Sequence, residues 1–540
     1  MLSKQLIRHF ALIVIFLQAS YTAPASSAGV YQEGIREWWV FFRDKDITAE
    51  LPPDYLHPDA LLRRARHGFP AVSFEDLPVH QEYLAQVALL ADSLCVVSRW
   101  FNAVYTYADT EMIRQIAALD FVISVEPAAP PLALTASLQN LMAEPDGPKL
   151  LETQLRHLGG EHFHKAGIDG SGINIAIFDG GFRGVDSHRA FQHIVREGRI
   201  KASWDFHLDR PNVFDFHTHG TSVMSVVGGI INQGPLGLAT GANFLLARTE
   251  IRREVLFEEK YWLAAAEWAE RNGAHIINSS LGYSYHRYFP EQMDGNTTLI
   301  SRAAQKAHQM GILVVSSAGN DGQNDFWNVI ASPADSPWVL TVGALDPLTM
   351  LRAPFSSPGP TADNRIKPEV TAQGTVWAAT ARGMSTPSGT SFSSPLVAGF
   401  AACVMQMHPH WTNNQVRKAI ISSASLYPYY DYAHGFGIPQ ASWFLADTLE
   451  TENYAEPTFK IIESSDQIRI VINDDYLFDY GCGWFERYFY YHIQEANGRI
   501  TNYFVLDTTE KELLTLHRRN FPAGQQLHFF YRGYHRVLEL

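Results

Sequence analysis

The sequence SGTSFSSPLVAG spans residues 388–399 and places one serine, Ser391, between small residues and an apolar run that reaches Met407. The apolar run predicts a buried helix that begins close to this serine. A helix N-terminus carries unpaired backbone N–H groups and the positive end of the helix dipole, so it stabilises developing negative charge. Gly389 allows a second chain to approach closely. A nucleophile beside an oxyanion hole needs such surroundings, although a serine that only caps a helix has the same local pattern.

Length, composition and charge limit the kinds of protein that the chain can be. With 540 residues, 46% of them hydrophobic and 18% charged, it is expected to form several globular domains. The formal net charge of −14 argues against a nucleic-acid partner. Cys95, Cys403 and Cys482 are too few and too scattered for a disulfide framework or a zinc site. Cys403 lies in the apolar run and is expected to be a buried thiol.

Residues 1–28 have the pattern of a secretory signal peptide. Lys4 and Arg8 precede an apolar run over residues 10–17, and small residues follow up to Ala28. The run is shorter than the ~20 residues that span a bilayer, and no later segment is long enough. We therefore expect cleavage after Ala28 and an exported protein, secreted or at the cell surface, without a transmembrane anchor.

Residues 29–148 form the first predicted domain and its linker. Strands are predicted over residues 37–42, 94–98, 103–107 and 121–125, and helices over 83–91 and 109–119. The order strand, helix, strand, strand, helix, strand is ferredoxin-like. A small domain between a signal peptide and a larger domain is typical of a propeptide, and a structural N-terminal domain would show the same pattern. Residues 128–147 are rich in proline and small residues, which is typical of a linker that a protease can cut.

From about residue 149, strands alternate with helices. The predicted strands cover residues 173–178, 242–247, 275–278, 312–316 and 339–342, and the predicted helices cover 217–231, 259–272, 297–310, 393–407 and 412–423. This alternation predicts an α/β domain of three layers, with a parallel sheet covered by helices on both faces. In such sheets functional side chains gather at the carboxyl ends of the strands.

An aspartate stands at one of these strand ends. Asp179 follows the first predicted strand directly and precedes Gly180 and Gly181. Because Asp-Gly is also a common turn sequence, this stretch alone does not establish a catalytic carboxylate.

A histidine stands at the beginning of a predicted helix, in the sequence DFHTHGTSV over residues 215–223. Here His219 precedes Gly-Thr and is the candidate general base. A metal site is the alternative, since His217 and His219 are close together and His207 lies nearby in the sequence. However, a zinc site needs three ligands with orderly spacing, and the sequence has neither an H-x-x-x-H motif nor a cluster of partner ligands here.

Together, Asp179, His219 and Ser391 have the residue types of a catalytic triad, in which the aspartate orients the histidine and the histidine activates the serine. Their order and surroundings resemble the subtilisin-like serine proteases, or subtilases. The sequence SSAGNDG over residues 316–322 resembles the oxyanion segment of that family. The resemblance implies that the Asn320 side chain and the Ser391 backbone N–H stabilise the oxyanion.

The resemblance also implies a substrate-binding cleft. The sequence SSLG over residues 279–282 resembles the family's strand that pairs with the substrate backbone. The residues expected to bind substrate are Ser280, Leu281, Gly282, Ser317 and Gly319. No acidic side chain occurs in these segments, so we expect that a large or apolar P1 residue fits and that no basic P1 residue is required.

The sequence departs from the family pattern at two positions. Gly180 stands where the family usually has serine or threonine, and Phe392 replaces the methionine that commonly follows the nucleophile. Neither change removes a catalytic atom. No cofactor is expected. Variable loops of the family bind structural calcium, but no D-x-D-x-D-G run supports a calcium site here.

Residues 458–540 follow an acidic linker over residues 450–457 and lack a helical pattern. Predicted strands over residues 459–462, 468–472, 485–493, 501–506 and 527–531 indicate a small all-β sandwich. The aromatic run at residues 489–491 is expected in its core, with a ligand platform as the alternative. The segments 497–499 and 522–524 weakly resemble C-terminal sorting modules of proteins exported by the type IX system.

We therefore predict a signal peptide (1–28), a ferredoxin-like propeptide with its linker (29–148), a subtilisin-like catalytic domain (149–447) and a C-terminal β-sandwich (458–540). The predicted function is that of a secreted serine endopeptidase that cleaves polypeptides through an acyl-enzyme. It would be made as an autoprocessed zymogen that its own propeptide inhibits. The alternatives are a catalytically silent subtilase fold used for binding and a metal-dependent hydrolase.

Overall fold

The computed structural model describes residues 36–128, 146–232, 234–250, 258–284, 288–446, 456–476, 487–508 and 512–540. The predicted signal peptide and most of the predicted linker lie outside these residues. Within the described ranges, no helix combines the length and the apolar character needed to cross a membrane. The chain divides into two units, and the first consists of Met1–Lys45, Val79–Val97 and Asn102–Ala129. The second consists of Asp46–Pro78, Ser98–Phe101 and Pro130–Leu540.

The N-terminal part of the described chain contains four strands and three helices. In chain order they are β1 (Glu37–Phe42), α1 (Pro58–Arg66), α2 (Gln81–Leu90), β2 (Ser93–Ser98), β3 (Ala103–Tyr107), α3 (Thr110–Ala117) and β4 (Val122–Pro127). The sheet order is β2-β3-β1-β4, and β1 is antiparallel to both of its neighbours. With α2 and α3, this sheet has the ferredoxin-like arrangement that the sequence predicts. Helix α1, in contrast, belongs to the second unit.

The first unit is held together by side chains that alternate along its central strand. Trp38, Val40 and Phe42 of β1 lie in one apolar cluster with buried residues of both helices. Asp109 caps α3, because its carboxylate accepts hydrogen bonds from the first turn of that helix.

A parallel sheet of seven strands is the centre of the second unit, with the order β13-β12-β11-β10-β5-β9-β6. Its strands are β5 (Asn174–Asp179), β6 (Ile200–Asp205), β9 (Asn243–Arg248), β10 (Ile276–Ser279), β11 (Leu313–Ser317), β12 (Leu340–Leu345) and β13 (Val370–Gln373). Two short hairpins lie beside it, made of β7 (Ile230–Ile231) with β8 (Gly234–Pro235) and β14 (Ala378–Ala379) with β15 (Met384–Ser385). The five predicted strands are present, and β6 and β13 extend the sheet at its two edges.

Helices cover both faces of this sheet, which confirms the predicted three-layer α/β fold. They are α4 (Gly147–Gln154), α5 (Gly160–Lys165), α6 (Gln192–Arg196), α7 (His219–Gly228), α8 (Glu258–Arg271), α9 (Leu299–Gln309), α10 (Thr390–Met407), α11 (Asn413–Ser422) and α12 (Ala441–Phe444). Ile175 and Ile177 share an apolar cluster with residues of α7 and α10. Phe178 points to the opposite face, where its ring contacts Trp262 of α8.

The C-terminal residues form two antiparallel sheets that pack face to face. The first has the order β16-β17-β20 and the second has the order β19-β18-β21-β22. Their strands are β16 (Phe459–Glu463), β17 (Gln467–Ile472), β18 (Tyr488–Gln494), β19 (Ile500–Asp507), β20 (Glu512–His517), β21 (Gln526–Tyr531) and β22 (Tyr534–Glu539). Phe489 and Tyr491 lie in the cluster between the sheets. Tyr490 faces the other way and packs with Tyr429, which precedes the first strand of these sheets. The aromatic run is therefore part of the core.

Candidate active site

The parallel sheet brings the predicted site segments to one edge. Strands β5, β10 and β11 are neighbours in the sheet, and all of them run in the same direction. Asp179 is the last residue of β5, Ser280 follows β10, and residues 318–320 follow β11. These segments therefore meet at the carboxyl edge of the sheet.

Asp179 and His219 form a short hydrogen bond. The Asp179 Oδ2 and His219 Nδ1 atoms are 2.8 Å apart, and the carboxylate is fully buried. The other oxygen, Oδ1, accepts the backbone N–H of Gly180 at 2.7 Å. Both oxygens thus have donors, although Gly180 lacks the side-chain hydroxyl usual at this position. The pair fixes the imidazole with its Nδ1 toward the carboxylate.

Gly220 allows His219 to approach Asp179 so closely. A Cβ atom on Gly220 would lie 2.9 Å from the Asp179 Cβ and 2.6 Å from the carbonyl oxygen of Gly181. Helix α7 could not begin at this point of the sheet with any larger residue after the histidine. The His-Gly sequence is therefore a packing requirement of the Asp–His contact.

The environment of His219 acts on its basicity in two opposing ways. Desolvation of the imidazole disfavours its charged form, but the charge and hydrogen bond of Asp179 outweigh this, so the pKa of His219 lies above its ordinary value. Phe392 is buried, and its ring centroid lies 5.5 Å from that of His219. The residue that replaces the usual methionine thus packs against the imidazole.

Ser391 lies in the first turn of α10, and a proline further along the helix shapes its surroundings. Pro395 has no N–H, so it cannot bond to the Ser391 carbonyl four residues earlier. That carbonyl instead accepts the Ser280 hydroxyl at 2.9 Å. In return, the Ser391 Oγ donates to the Ser280 carbonyl at 3.1 Å. The structure therefore places the Ser391 hydroxyl on Ser280, while its neighbour Phe392 contacts His219.

A buried polar network fastens α10 to the end of β10. The Ser394 hydroxyl donates to the Asn278 side chain at 2.8 Å, and the Asn278 amide donates to the Ser280 hydroxyl at 3.0 Å. Both Asn278 and Ser394 are fully buried. Because each of these polar groups has a partner, the network holds the N-terminal turn of α10 in one position.

Asn320 is oriented by the residue that precedes Ser391. Its Oδ1 accepts two hydrogen bonds from Thr390, one from the backbone N–H at 2.9 Å and one from the hydroxyl at 3.0 Å. Since the oxygen is occupied, the side-chain amino group is the end that faces outward. A Cβ atom on Gly389 would lie 3.5 Å from this Nδ2. The amide donor and the N-terminus of α10 therefore lie side by side.

The segments predicted to bind substrate face each other. A Cβ atom on Gly282 would lie 4.0 Å from the Gly319 Cα, and Gly319 has a φ of +110°, which disfavours a side chain. Ser317 donates to the Leu281 carbonyl at 3.4 Å, and both residues are buried. With Ser280, these residues form two walls that are free of bulky side chains at the glycine positions.

Arg248 also contributes to the site, although no sequence motif points to it. It pairs with Asp179 in the register of β5 and β9. Its Nη1 forms a buried ion pair with Asp205 at 2.8 Å, and its Nε donates to the Gly180 carbonyl at 3.2 Å. The guanidinium also lies 3.7 Å from the centre of the Phe216 ring. It therefore joins the turn after Asp179 to the segment before His219.

His217, the candidate metal ligand, lies beside the Asp–His pair. Its Nδ1 accepts the backbone N–H of His219 at 3.1 Å, and the two imidazole centroids are 6.4 Å apart. Among the residues that the structure describes, no group of three His, Cys, Asp or Glu side chains is arranged to hold a metal ion.

Comparisons with known proteins identify the family. Residues 170–437 match the subtilase family, and residues 37–142 match the peptidase S8 propeptide domain of Bacteroidota. Over 265 residues, or 48% of this chain, the sequence is 30% identical to subtilisin E of Bacillus subtilis and to a subtilisin of Bacillus pumilus. It is 33% identical over 265 residues to a thermostable alkaline protease of Halalkalibacterium halodurans. The alignments span 63% of subtilisin E, 64% of the alkaline protease and 87% of the Bacillus pumilus protein. The chain belongs to the subtilase family.

Proposed function

We propose that the protein is a secreted serine endopeptidase, with Ser391 as nucleophile, His219 as general base and Asp179 as the residue that orients the base. The hydrogen bond of 2.8 Å between the buried Asp179 carboxylate and His219, next to the N-terminal turn of α10, is the observation that carries this proposal. Asn320, held by Thr390, supplies the side-chain donor of the oxyanion hole.

In this mechanism the Ser391 hydroxyl first leaves the Ser280 carbonyl and turns toward the His219 Nε2. His219 takes the hydroxyl proton as Oγ attacks the scissile carbonyl. The Asn320 amide and the Ser391 backbone N–H stabilise the oxyanion that forms. The imidazolium then protonates the leaving amine, and water hydrolyses the acyl-enzyme by the same route. A hydroxyl that rests on another acceptor in the free enzyme is compatible with this chemistry, since catalytic hydrogen bonds often form only with substrate bound.

The proposed substrate site is the surface beside the segments 280–282 and 317–319. An extended peptide would pair with the segment after β10 and place its P1 side chain against these small residues. The small residues there support the expectation that a large or apolar P1 side chain fits. No cofactor takes part in the proposed reaction.

We also propose how the chain is processed. Residues 1–28 would be removed on export, and residues 29–148 would act as a propeptide that the catalytic domain cuts off between residues 127 and 151. The match to a propeptide domain over residues 37–142 supports this order of events. The catalytic domain would cover residues 149–447, and the β-sandwich of residues 458–540 would remain attached.

Covalent labelling tests the proposal directly. A serine-directed phosphonate is expected to modify the peptide that contains Ser391, with one adduct per chain, and to block peptidase activity. Activity is expected to survive a chelator such as EDTA. A His219→Ala variant serves as the control, since without the base it should take up the label far more slowly.

Each alternative function predicts a different result. A catalytically silent binding protein would take no label and cleave no peptide. A metal-dependent hydrolase would lose activity with EDTA, regain it with added zinc, and remain unlabelled at Ser391. Either pattern would overturn the proposed mechanism.

Replacing Asn320 by alanine should slow catalysis without removing the nucleophile. Loss of one side-chain oxyanion donor lowers kcat about 100- to 1000-fold in subtilisin, and we expect the same range here with a much smaller change in KM. Steady-state kinetics on a peptide substrate measure both constants. Asn328→Ala, an exposed asparagine in the same loop, is the matched control. If kcat decreases by less than about tenfold, the assignment of Asn320 to the oxyanion hole is wrong.

A further inference from the structure

Helix α1 buries two of its arginines and exposes both of its leucines. Arg63 and Arg64 are each only 1% exposed, whereas Leu61 and Leu62 are 38% and 63% exposed. An amphipathic helix normally has the reverse pattern. Because burying a charge is costly unless it is paired, the surface that receives α1 must be built for arginine.

The Arg63 guanidinium binds between the C-terminal ends of α8 and α9, at a site that we call the socket. Its Nε donates to the Met310 carbonyl at 3.0 Å, and its Nη1 donates to the Ala274 carbonyl at 2.6 Å. Its Nη2 donates to both the backbone carbonyl and the carboxylate of Glu270, at 3.2 and 2.7 Å. Met310 caps α9, and Ala274 follows α8, so the socket uses carbonyls that helix C-termini leave unpaired. The negative ends of the helix dipoles also favour a cation there.

Arg64 and Arg99 complete a buried ion network with the same carboxylate. Arg64 forms two parallel hydrogen bonds to Asp76, at 2.6 and 2.8 Å, and a third to Glu270 at 2.9 Å. Arg99 bridges Asp76 and Glu270 at 3.0 and 2.8 Å. Glu267 accepts the backbone N–H of Arg99. Asp76 belongs to the same part of the chain, before residue 100, as the three arginines. In this network, that part therefore carries a net positive charge, whereas α8 contributes only carboxylates.

The socket lies far from the catalytic residues in the topology of the sheet. Ala274 lies two residues before β10 and Met310 lies three residues before β11, so both are at the amino edge of these parallel strands. Asp179 and Ser280 lie at the carboxyl edge. The side chain of Asn174, the first residue of β5, also donates to Asp59 of α1 at 2.8 Å. Helix α1 is therefore attached at the edge opposite the candidate active site.

We infer that Glu270 and the carbonyls of Ala274 and Met310 form a guanidinium-binding exosite, and that the paired arginines of residues 46–78 are its occupant. The exosite holds this segment on the catalytic domain without help from the active site. As a consequence that rests on the proposed function, the segment remains bound after the propeptide is cut and leaves more slowly than its contacts with the active site alone would allow.

Amide hydrogen exchange of the full-length chain carrying Ser391→Ala tests the inference, since that chain needs no catalysis and stays in one piece. Arg63→Lys keeps the charge but lacks the planar fork that reaches three carbonyls. Exchange of the α1 amides is expected to rise about 100-fold or more in Glu270→Gln, because removing one partner of a buried ion pair is strongly destabilising. A rise of similar size is expected in Arg63→Lys, because one ammonium group leaves buried carbonyls without a donor. Arg66→Lys, a partly exposed arginine of the same helix, is the control and should change exchange less than about threefold.

A second measurement requires no substitution within the network. Argininamide added to the Ser391→Ala chain should compete for the socket whenever α1 opens, and so raise exchange of the α1 amides in proportion to its concentration over its Kd. Lysinamide at the same concentration should have little effect. Unchanged α1 exchange in both Arg63→Lys and Glu270→Gln, or equal effects of the two amides, would overturn the inference. Exchange of the α10 amides reports whether the catalytic domain is still folded. Failure of the proteolytic proposal would leave these results unaffected.

Discussion

Replacing Ser391 by alanine is expected to leave the chain as an uncut precursor and to lower peptidase activity about a millionfold, the loss measured for the corresponding change in subtilisin. The substitution removes only Oγ, which rests on the Ser280 carbonyl at 3.1 Å. The backbone of α10 and the Asn278–Ser280 network stay in place, so the precursor should remain folded. Mass measurement of the purified protein shows whether the linker is intact.

Two further chains make this experiment decisive. His219→Ala should also accumulate as the precursor, and the double variant should be no less active than either single variant, because the two residues act as one unit. Adding a small amount of unmodified enzyme to the Ser391→Ala precursor distinguishes cutting within one molecule from cutting between molecules. If the Ser391→Ala chain matures normally when it is expressed alone, another protease does the cutting and autoprocessing is wrong.

Most of the central fold is predictable because its strands are buried on both faces. Continuous apolar runs predict five strands, and each begins within one residue of its predicted position. The two edge strands escape prediction for physical reasons. Strand β6, with sequence IKASWD, and strand β13, with sequence VTAQ, both contain polar residues that interrupt the apolar run. Such strands are recognisable only through the neighbours with which they pair.

Helix α1 escapes prediction for a different reason. Leucine is ordinarily buried and arginine exposed, whereas in α1 the structure exposes Leu61 and Leu62 and buries Arg63 and Arg64. The receiving carbonyls at Ala274 and Met310 are more than 200 residues away along the chain. Binding to residues that are distant in the sequence therefore decides which face of α1 is buried, and no local sequence pattern records those residues.

In the candidate site too, the residue types can be read from the local sequence, whereas the contacts between them join residues that are far apart in the chain. The residue types and order of Asp179, His219 and Ser391 are visible in the sequence, as is their place at strand and helix ends. The contacts that position them are not. Thr390 orients Asn320 across 70 residues, and Arg248 supports the turn after Asp179 from the neighbouring strand. These contacts depend on strand order, which no local sequence pattern records.

Replacing Asp179 by asparagine is expected to lower kcat about 10,000-fold while the protein stays folded, as the corresponding change does in another triad protease. The Asp179 carboxylate accepts the His219 Nδ1–H, which leaves Nε2 free to take the serine proton. An asparagine amide can donate to Nδ1 instead, which favours the tautomer with its proton on Nε2. That tautomer cannot act as the base. Asp215→Asn, an exposed aspartate close to His219 in sequence, is the matched control and should keep nearly full activity.

The pH dependence of this variant separates a catalytic role of Asp179 from a structural one. His219 must be neutral to act as the base, so activity falls as the pH decreases through its pKa. Asp179 raises that pKa above its ordinary value against the opposing effect of desolvation. The acid limb of the kcat/KM profile should therefore lie above the ordinary titration of histidine in the unmodified enzyme and shift to lower pH in Asp179→Asn. A profile that loses amplitude but keeps its acid limb in place would contradict the assignment, because it would mean that another group controls the protonation state of the site.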